Sequence, residues 1–146
     1  MAMQRIVFSC FFLFLFLSCN KKSNNGLNTG HPVPSVPVAI TVYPNNVSNF
    51  KIQAIGGWMY LSGGIRGIIL YRKSQEEFVA MERTSSYLPN NDDAIVKVQP
   101  NNFTLRDTVS GSEWRIIDGT ITKGPTQWPL RLYGTTYDGS VLRIVN

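Results

Sequence analysis

Turn residues punctuate this chain so closely that no long amphipathic helix has room to form. Beyond residue 37, Pro44-Asn45-Asn46, Gly56-Gly57, Ser74-Gln75-Glu76, Asp118-Gly119 and Asp138-Gly139 separate short runs rich in β-branched and aromatic residues. Gly, Asn, Asp and Pro favour turns because they tolerate or preset backbone angles that strands avoid. The runs between them read as strands at 38–43, 50–55, 58–61, 67–72, 77–82, 94–98, 103–106, 113–117, 129–133 and 141–145. Residues 67–72 are almost continuously apolar, the pattern of a core strand. In the next run, alternation puts Phe78, Ala80 and Glu82 on one face and Val79 and Met81 on the other. Asp118-Gly119 and Asp138-Gly139 are hairpin signals. The expected fold is all-β, an antiparallel sandwich or barrel of short strands.

The first twenty residues have a different texture. Arg5 precedes an apolar run, Ile6 to Leu17, interrupted by Ser9. A membrane-spanning helix needs about 20 apolar residues, so this run has the length of a signal-peptide core instead. It ends in Phe16-Leu17-Ser18-Cys19, which resembles a bacterial lipobox, with Phe16 where leucine is usual. The organisation that follows is a signal peptide at 1–18, a lipidated Cys19 opening a spacer at 19–37, and a folded domain at 38–146. The spacer is rich in Asn, Ser, Gly and Pro and has little to bury, so burial cannot offset the entropy of ordering it. Its single histidine, His31, carries no expected role. Lys21 and Lys22 can rest on anionic headgroups. The expected location is the cell envelope, lipid-anchored on the periplasmic face of the outer membrane, with membrane lipid as partner through Cys19.

Residue counts close off several function classes. Of 146 residues, the two cysteines are Cys10 and Cys19, and the one histidine is His31. The domain can therefore hold no internal disulfide and no thiolate metal site. The formal charge is +5, but the domain's cations stand singly, as at Lys51, Arg66, Arg83, Lys97, Arg115, Arg131 and Arg143. Nucleic-acid binders cluster such charges, so no nucleic acid is expected as partner. Trp58, Trp114 and Trp128 read first as core or rim aromatics.

Gly63 to Arg72, followed by Phe78 to Thr84, resembles the approach to the first cluster loop of Rieske-type iron–sulfur domains. Ser110-Gly111-Ser112-Glu113-Trp114 resembles the second loop. Gly124-Pro125, Pro129-Leu130-Arg131-Leu132-Tyr133 and Asp138-Gly139 resemble the segments after it. The resemblance covers roughly residues 56–146 and implies a small Rieske-like β-sandwich or barrel. That family holds a [2Fe–2S] cluster with Cys-x-His and Cys-x-x-His. The corresponding positions here are Ser85 and Tyr87, then Asp107 and Ser110. All four have changed, and a serine hydroxyl is a poor ligand for a soft cluster. The resemblance implies the fold and, at the same residues, speaks against the cofactor.

The resulting expectation is a binding or interaction module without cofactor or metal, meeting an unknown protein or small ligand through the two former cluster loops. Tyr87 and Trp114 are the expected contact residues, because aromatics dominate interface energetics. No catalytic residue is assigned: a serine nucleophile lacks a histidine base here, and no Ser-x-x-Lys occurs. The competing reading is a Rieske-type electron-transfer component that holds iron in an unrecognised way.

Overall fold

The computed structural model describes residues 30–146, so the leader, Cys19 and the first part of the spacer lie outside the described residues. Ten short strands form two antiparallel sheets. The larger contains β1 (Ala39–Val42), β2 (Trp58–Leu61), β3 (Ile68–Arg72), β4 (Phe78–Glu82), β9 (Leu132–Tyr137) and β10 (Leu142–Val145). Their order across the sheet is β1-β10-β9-β4-β3-β2. The smaller follows chain order, with β5 (Val96–Val98), β6 (Thr104–Asp107), β7 (Glu113–Arg115) and β8 (Ile121–Lys123). The all-β, antiparallel architecture of short strands is the one the turn spacing predicted.

Strand β3 explains how two cores share one sheet. Ile68 and Leu70 enter a core with Phe78, Ala80, Tyr133, Leu142 and Ile144. Ile69 and Tyr71 face the other way, into a core with Met81, Val96, Leu105, Trp114 and Ile116. A strand alternates its side chains between faces, so a strand buried on both sides must be apolar throughout. Every residue of β3 is buried, including Arg72. The Arg72 guanidinium donates to the carbonyls of Ile52, Gln53, Ser74 and Gln75 and lies over the Phe78 ring. Burying the Arg72 charge would be costly without those acceptors, because a buried charge needs partners.

Glu82, at the end of β4, is a second buried charged residue. Its carboxylate accepts from the backbone N–H of Ile65, Arg66 and Thr84, from the Thr84 hydroxyl and from Tyr133. Gly64 turns the chain over this carboxylate with φ +65°, and a Cβ there would run into Glu82 Oε2 and the Tyr133 hydroxyl. This turn can therefore take only glycine.

Two strand expectations need correction. Residues 50–55 do not form a strand; a 3-10 helix runs Val47–Ile52 instead. Asn46 caps it by accepting from Ser48 N–H, and only Ile52 of the segment is buried. The strand expected at 129–133 begins later, at Leu132. Strand β8 went unforeseen: all its residues are exposed, so no alternation marks it. Both hairpin signals sit where expected, Asp118-Gly119 between β7 and β8 and Asp138-Gly139 between β9 and β10.

The domain also starts earlier than residue 38. Val33 is fully buried, and its carbonyl accepts from Arg131 Nε at 2.8 Å. Asn146 donates through its side chain to Ser35 and to the Val36 carbonyl. Residues 31–37, expected within the spacer, form a strap along the sheets, because Val33 supplies the apolar anchor that composition alone understated.

Candidate functional site

Three loops meet at one end of the domain. The first, 83–95, joins β4 to β5; the second, 108–112, joins β6 to β7; the third, 124–131, joins β8 to β9. The first carries Ser85 and Tyr87, and the second carries Ser110 and follows directly on Asp107, the last residue of β6; these are the four positions expected to correspond to cluster ligands. The third carries Trp128.

In the first loop, Ser85 is fully buried and its hydroxyl lies 3.3 Å from Tyr87 N–H and 3.4 Å from Leu88 N–H, accepting from both. Its own N–H donates to the Ala94 carbonyl. Thus Ser85 closes a local turn. Tyr87, two residues on, projects to the surface at 45% exposure. Arg66 braces the far side of this loop, donating to the Pro89 carbonyl and pairing with Asp92 at 2.7 Å.

At the start of the second loop, Asp107, which ends β6, is fully buried. One carboxylate oxygen accepts from Val109 N–H at 2.9 Å and the other from the Ser110 hydroxyl at 2.6 Å. The Ser110 hydroxyl also accepts from Ser112 N–H. The turn is closed by Gly111 N–H donating to the Asp107 carbonyl. Ser110 and Asp107 form a pair, but a carboxylate is too weak a base to activate a hydroxyl unaided. Ser85 and Asp107 satisfy separate loops, and no hydrogen bond joins them.

The third loop ties the other two together. Trp128's carbonyl accepts from the Ser86 hydroxyl at 2.9 Å, Trp114 Nε1 at 3.0 Å and the Thr126 hydroxyl at 3.1 Å. Thr126 N–H donates to the Ser112 hydroxyl, which binds the third loop to the second. The strap closes the ring of contacts: His31 stands edge-on to Trp128, with ring centroids 5.7 Å apart. His31 Nδ1 accepts from Val33 N–H, while Nε2 lies 3.0 Å from the Pro129 carbonyl. Both ring nitrogens are therefore engaged.

One contact residue is misplaced by the sequence reading. Trp114 is fully buried in the second core, and only its indole N–H reaches the loops. A fully buried ring has no surface to offer a partner. Trp128, 42% exposed, has that surface. A pocket of about 270 Å³ opens here, lined by Pro32, Ser86, Tyr87, Pro125, Gln127 and Trp128. The sequence marked only Tyr87 among these. Ser86, Thr126 and Ser112 escaped notice because small hydroxyl residues in loops carry no pattern of their own. Trp128 stood in Gly124-Pro125-Thr126-Gln127-Trp128-Pro129, a proline-bracketed segment whose tryptophan was the available signal.

The arrangement defines a small all-β domain with a loop-built, aromatic-rimmed pocket at one end. No family model matches the chain, and no curated protein matches it. Among solved structures, the chain is similar to one from Mycobacterium tuberculosis assigned as an NADH-dependent nitrite reductase small subunit. The identity is 13%, the TM-score 0.43, and the match spans 77% of this chain and 97% of that one.

Proposed function

We propose that this chain is a lipoprotein of the cell envelope whose Rieske-like β domain has given up its iron–sulfur cluster and serves as a binding module. The anchor is lipid on Cys19, and the location is the periplasmic face of the outer membrane. The reading of the anchor rests on the apolar run before Ser18-Cys19. The Rieske-like reading rests on the order of motifs from Gly63 to Ile144, laid on ten short antiparallel strands.

One observation carries the functional reading: the side chains at the former ligand positions are spent on their own loops. Ser85 caps two amides, and Asp107 and Ser110 cap each other and their turn. Tyr87 offers a phenol at the surface. A [2Fe–2S] cluster of this type needs two thiolates and two imidazoles. Residues 20–146 contain no cysteine, and His31 has one nitrogen engaged on the strap and the other on the third loop. This donor set does not fit the cluster, and no electron-transfer step is derived from it. What the three loops present instead is a rigid face with exposed Tyr87 and Trp128 around a pocket. Loops on a rigid scaffold are the usual place for recognition.

The test is elemental. Full-length protein purified under anaerobic conditions should contain no stoichiometric iron or acid-labile sulfide. Its melting temperature should not respond to a chelator, since a metal bound only by the folded state would raise it by mass action. Near two irons per chain would restore the electron-transfer reading.

A further inference from the structure

We propose that His31 is a proton-operated latch: a neutral ring holds the end of the strap against Trp128, and protonation frees that end and with it one wall of the pocket. The latch rests on the strap geometry; its consequence for a ligand rests on the binding-module reading above.

The chain has one histidine, and imidazole is the side chain that ordinarily changes charge between about pH 5 and 8. That histidine opens the strap, edge-on to Trp128 with ring centroids 5.7 Å apart. Two backbone groups hold it. Val33 N–H points at Nδ1 from 3.1 Å, a bond that a bare nitrogen accepts and a protonated one refuses. The Pro129 carbonyl lies 3.0 Å from Nε2, a bond that needs a proton on that nitrogen. An imidazolium donates from both nitrogens, so it keeps the second bond and loses the first. Nδ1 also lies 3.3 Å from the Val33 carbonyl, the one acceptor to which a protonated Nδ1 can turn. That oxygen already accepts from Arg131 Nε at 2.8 Å. Turning there would set an imidazolium beside a guanidinium, and like charges at such range repel.

Among the described residues no carboxylate hydrogen-bonds to the ring to offset the added charge. Residues 32–37 of the strap carry no titratable side chain, and Arg131 is the one charged residue of the third loop. The first loop meets the pocket through Ser86 and the Tyr87 phenol. Of its charged residues, Arg83 lies over the Tyr60 ring, Asp92 is paired with Arg66, and Asp93 is exposed. Asp107, before the second loop, is spent on Val109 and Ser110.

Release is local. Val33 stays buried and Arg131 keeps its bond to the Val33 carbonyl, so the swing is confined to His31 and Pro32. Pro32 is a wall of the pocket, and Trp128 is its rim. The pocket is therefore complete at neutral pH and open on one side in acid. A ligand held there is let go as pH falls through the histidine range.

The experiment follows acrylamide quenching of indole emission in the full-length protein at about pH 7.5 and about pH 5.5, an interval in which ordinary carboxylates stay ionised and histidine does not stay neutral. Trp128 is 42% exposed with the strap in place, so release should raise its quenching by up to about twofold in acid. Trp128→Phe should abolish the rise, which assigns it to that ring. His31→Gln cannot take a charge and should quench like the neutral parent at both pH values. His31→Lys is a permanent cation and should quench like the acidified parent at both. The two variants lose the ring alike, so a difference between them reads the charge. Parent quenching that stays level or falls in acid overturns the proposal. So do His31→Gln and His31→Lys that behave alike. The outcome is separate from that of the iron assay: near two irons per chain would remove the binding module and leave the latch, whereas quenching blind to pH removes the latch alone.

Discussion

The indole N–H of Trp114 donates to the backbone carbonyl of Trp128 at 3.0 Å, so the buried tryptophan holds the exposed one in place. Trp114 belongs to the core beneath the smaller sheet, and Trp128 rims the pocket. Packing and site are thereby joined by one bond. Removing the bond while keeping a ring is the cleanest test. Trp114→Phe should stay folded and lose about 1–3 kcal/mol, combining one hydrogen bond with a partly filled cavity. The two hydroxyl donors still hold the Trp128 carbonyl, so loop order should soften rather than collapse. Urea unfolding reads the stability, and near-ultraviolet circular dichroism reads the Trp128 environment. A variant as stable as the parent would show that the bond contributes nothing.

Glu82 gives a prediction in pH. Burial pushes its carboxyl up, but donation from Tyr133, Ile65, Arg66 and Thr84 outweighs burial and holds it below the usual carboxylate range. A depressed folded-state value favours the ionised form, so its stabilisation is present above the unfolded value, about 4.3. It is lost as pH falls through the folded value. Asp138 acts in the same direction: the amides of Val141 and Ser140 pull it down to about 2. Asp118 is lowered too, as Thr120 and Arg115 overcome its burial. Stability should hold from neutral pH to about 5 and then fall towards pH 2. Glu82→Gln should remove part of that acid dependence and cost about 2–4 kcal/mol at pH 7, because an amide cannot accept from every surrounding donor. Chemical unfolding at pH 7, 5 and 3 checks both. An acid dependence identical to the parent's would assign the effect to other carboxylates.

Gly64 tests the same node sterically. Gly64→Ala places a methyl against the Glu82 carboxylate and the Tyr133 hydroxyl at a φ of +65°. Strain and clash together should cost about 3 kcal/mol or more. Gly111→Ala, also at positive φ but with open space around the added carbon, should cost only the backbone strain, about 1–2 kcal/mol. Comparing their melting temperatures separates crowding from backbone geometry. Equal losses would mean that the turn over Glu82 can move aside.

What the sequence disclosed follows from where periodicity is a physical necessity. Ile68 to Tyr71 had to be apolar because both faces of β3 meet cores, and that compulsion made the strand legible. The Asp138-Gly139 turn was legible because Gly139 sits at φ +92°, where other residues are strained. Phe50 misled for the opposite reason: it is apolar yet exposed, on a 3-10 helix that Asn46 caps. Strand β8 left no trace because it buries nothing and is held through its pairing with β7. At the site, Tyr87 was singled out as an aromatic at a position the resemblance marked, whereas Trp114 and Trp128 could not be told apart. Trp114 lies within β7 and Trp128 in the loop after β8, and only the tertiary packing decides which is covered. The strap was hidden by its composition: a segment rich in proline and serine reads as spacer until one valine finds a pocket.

The last prediction concerns that strap and the anchor before it. If Cys19 carries lipid, Cys19→Ala should move the protein from the membrane fraction to the soluble periplasm, and the released domain should remain folded. Folding should survive because the two cores draw on residues from Val38 to Ile144, downstream of the anchor. Val33 supplies the contrast. Its side chain is fully buried, and Val33→Ser should cost about 2 kcal/mol by removing apolar burial and leaving a hydroxyl without a partner. That loss should loosen the strap without touching membrane association. Fractionation followed by limited trypsin digestion measures both properties on the same samples. Cys19→Ala should change the fraction and spare the digestion pattern of the domain. Val33→Ser should keep the fraction and speed cleavage at Arg131, whose Nε is bound to the strap. Identical fractionation of Cys19→Ala and the parent would remove the anchor from the account. Unchanged cleavage of Val33→Ser would show that the strap does not protect the pocket end.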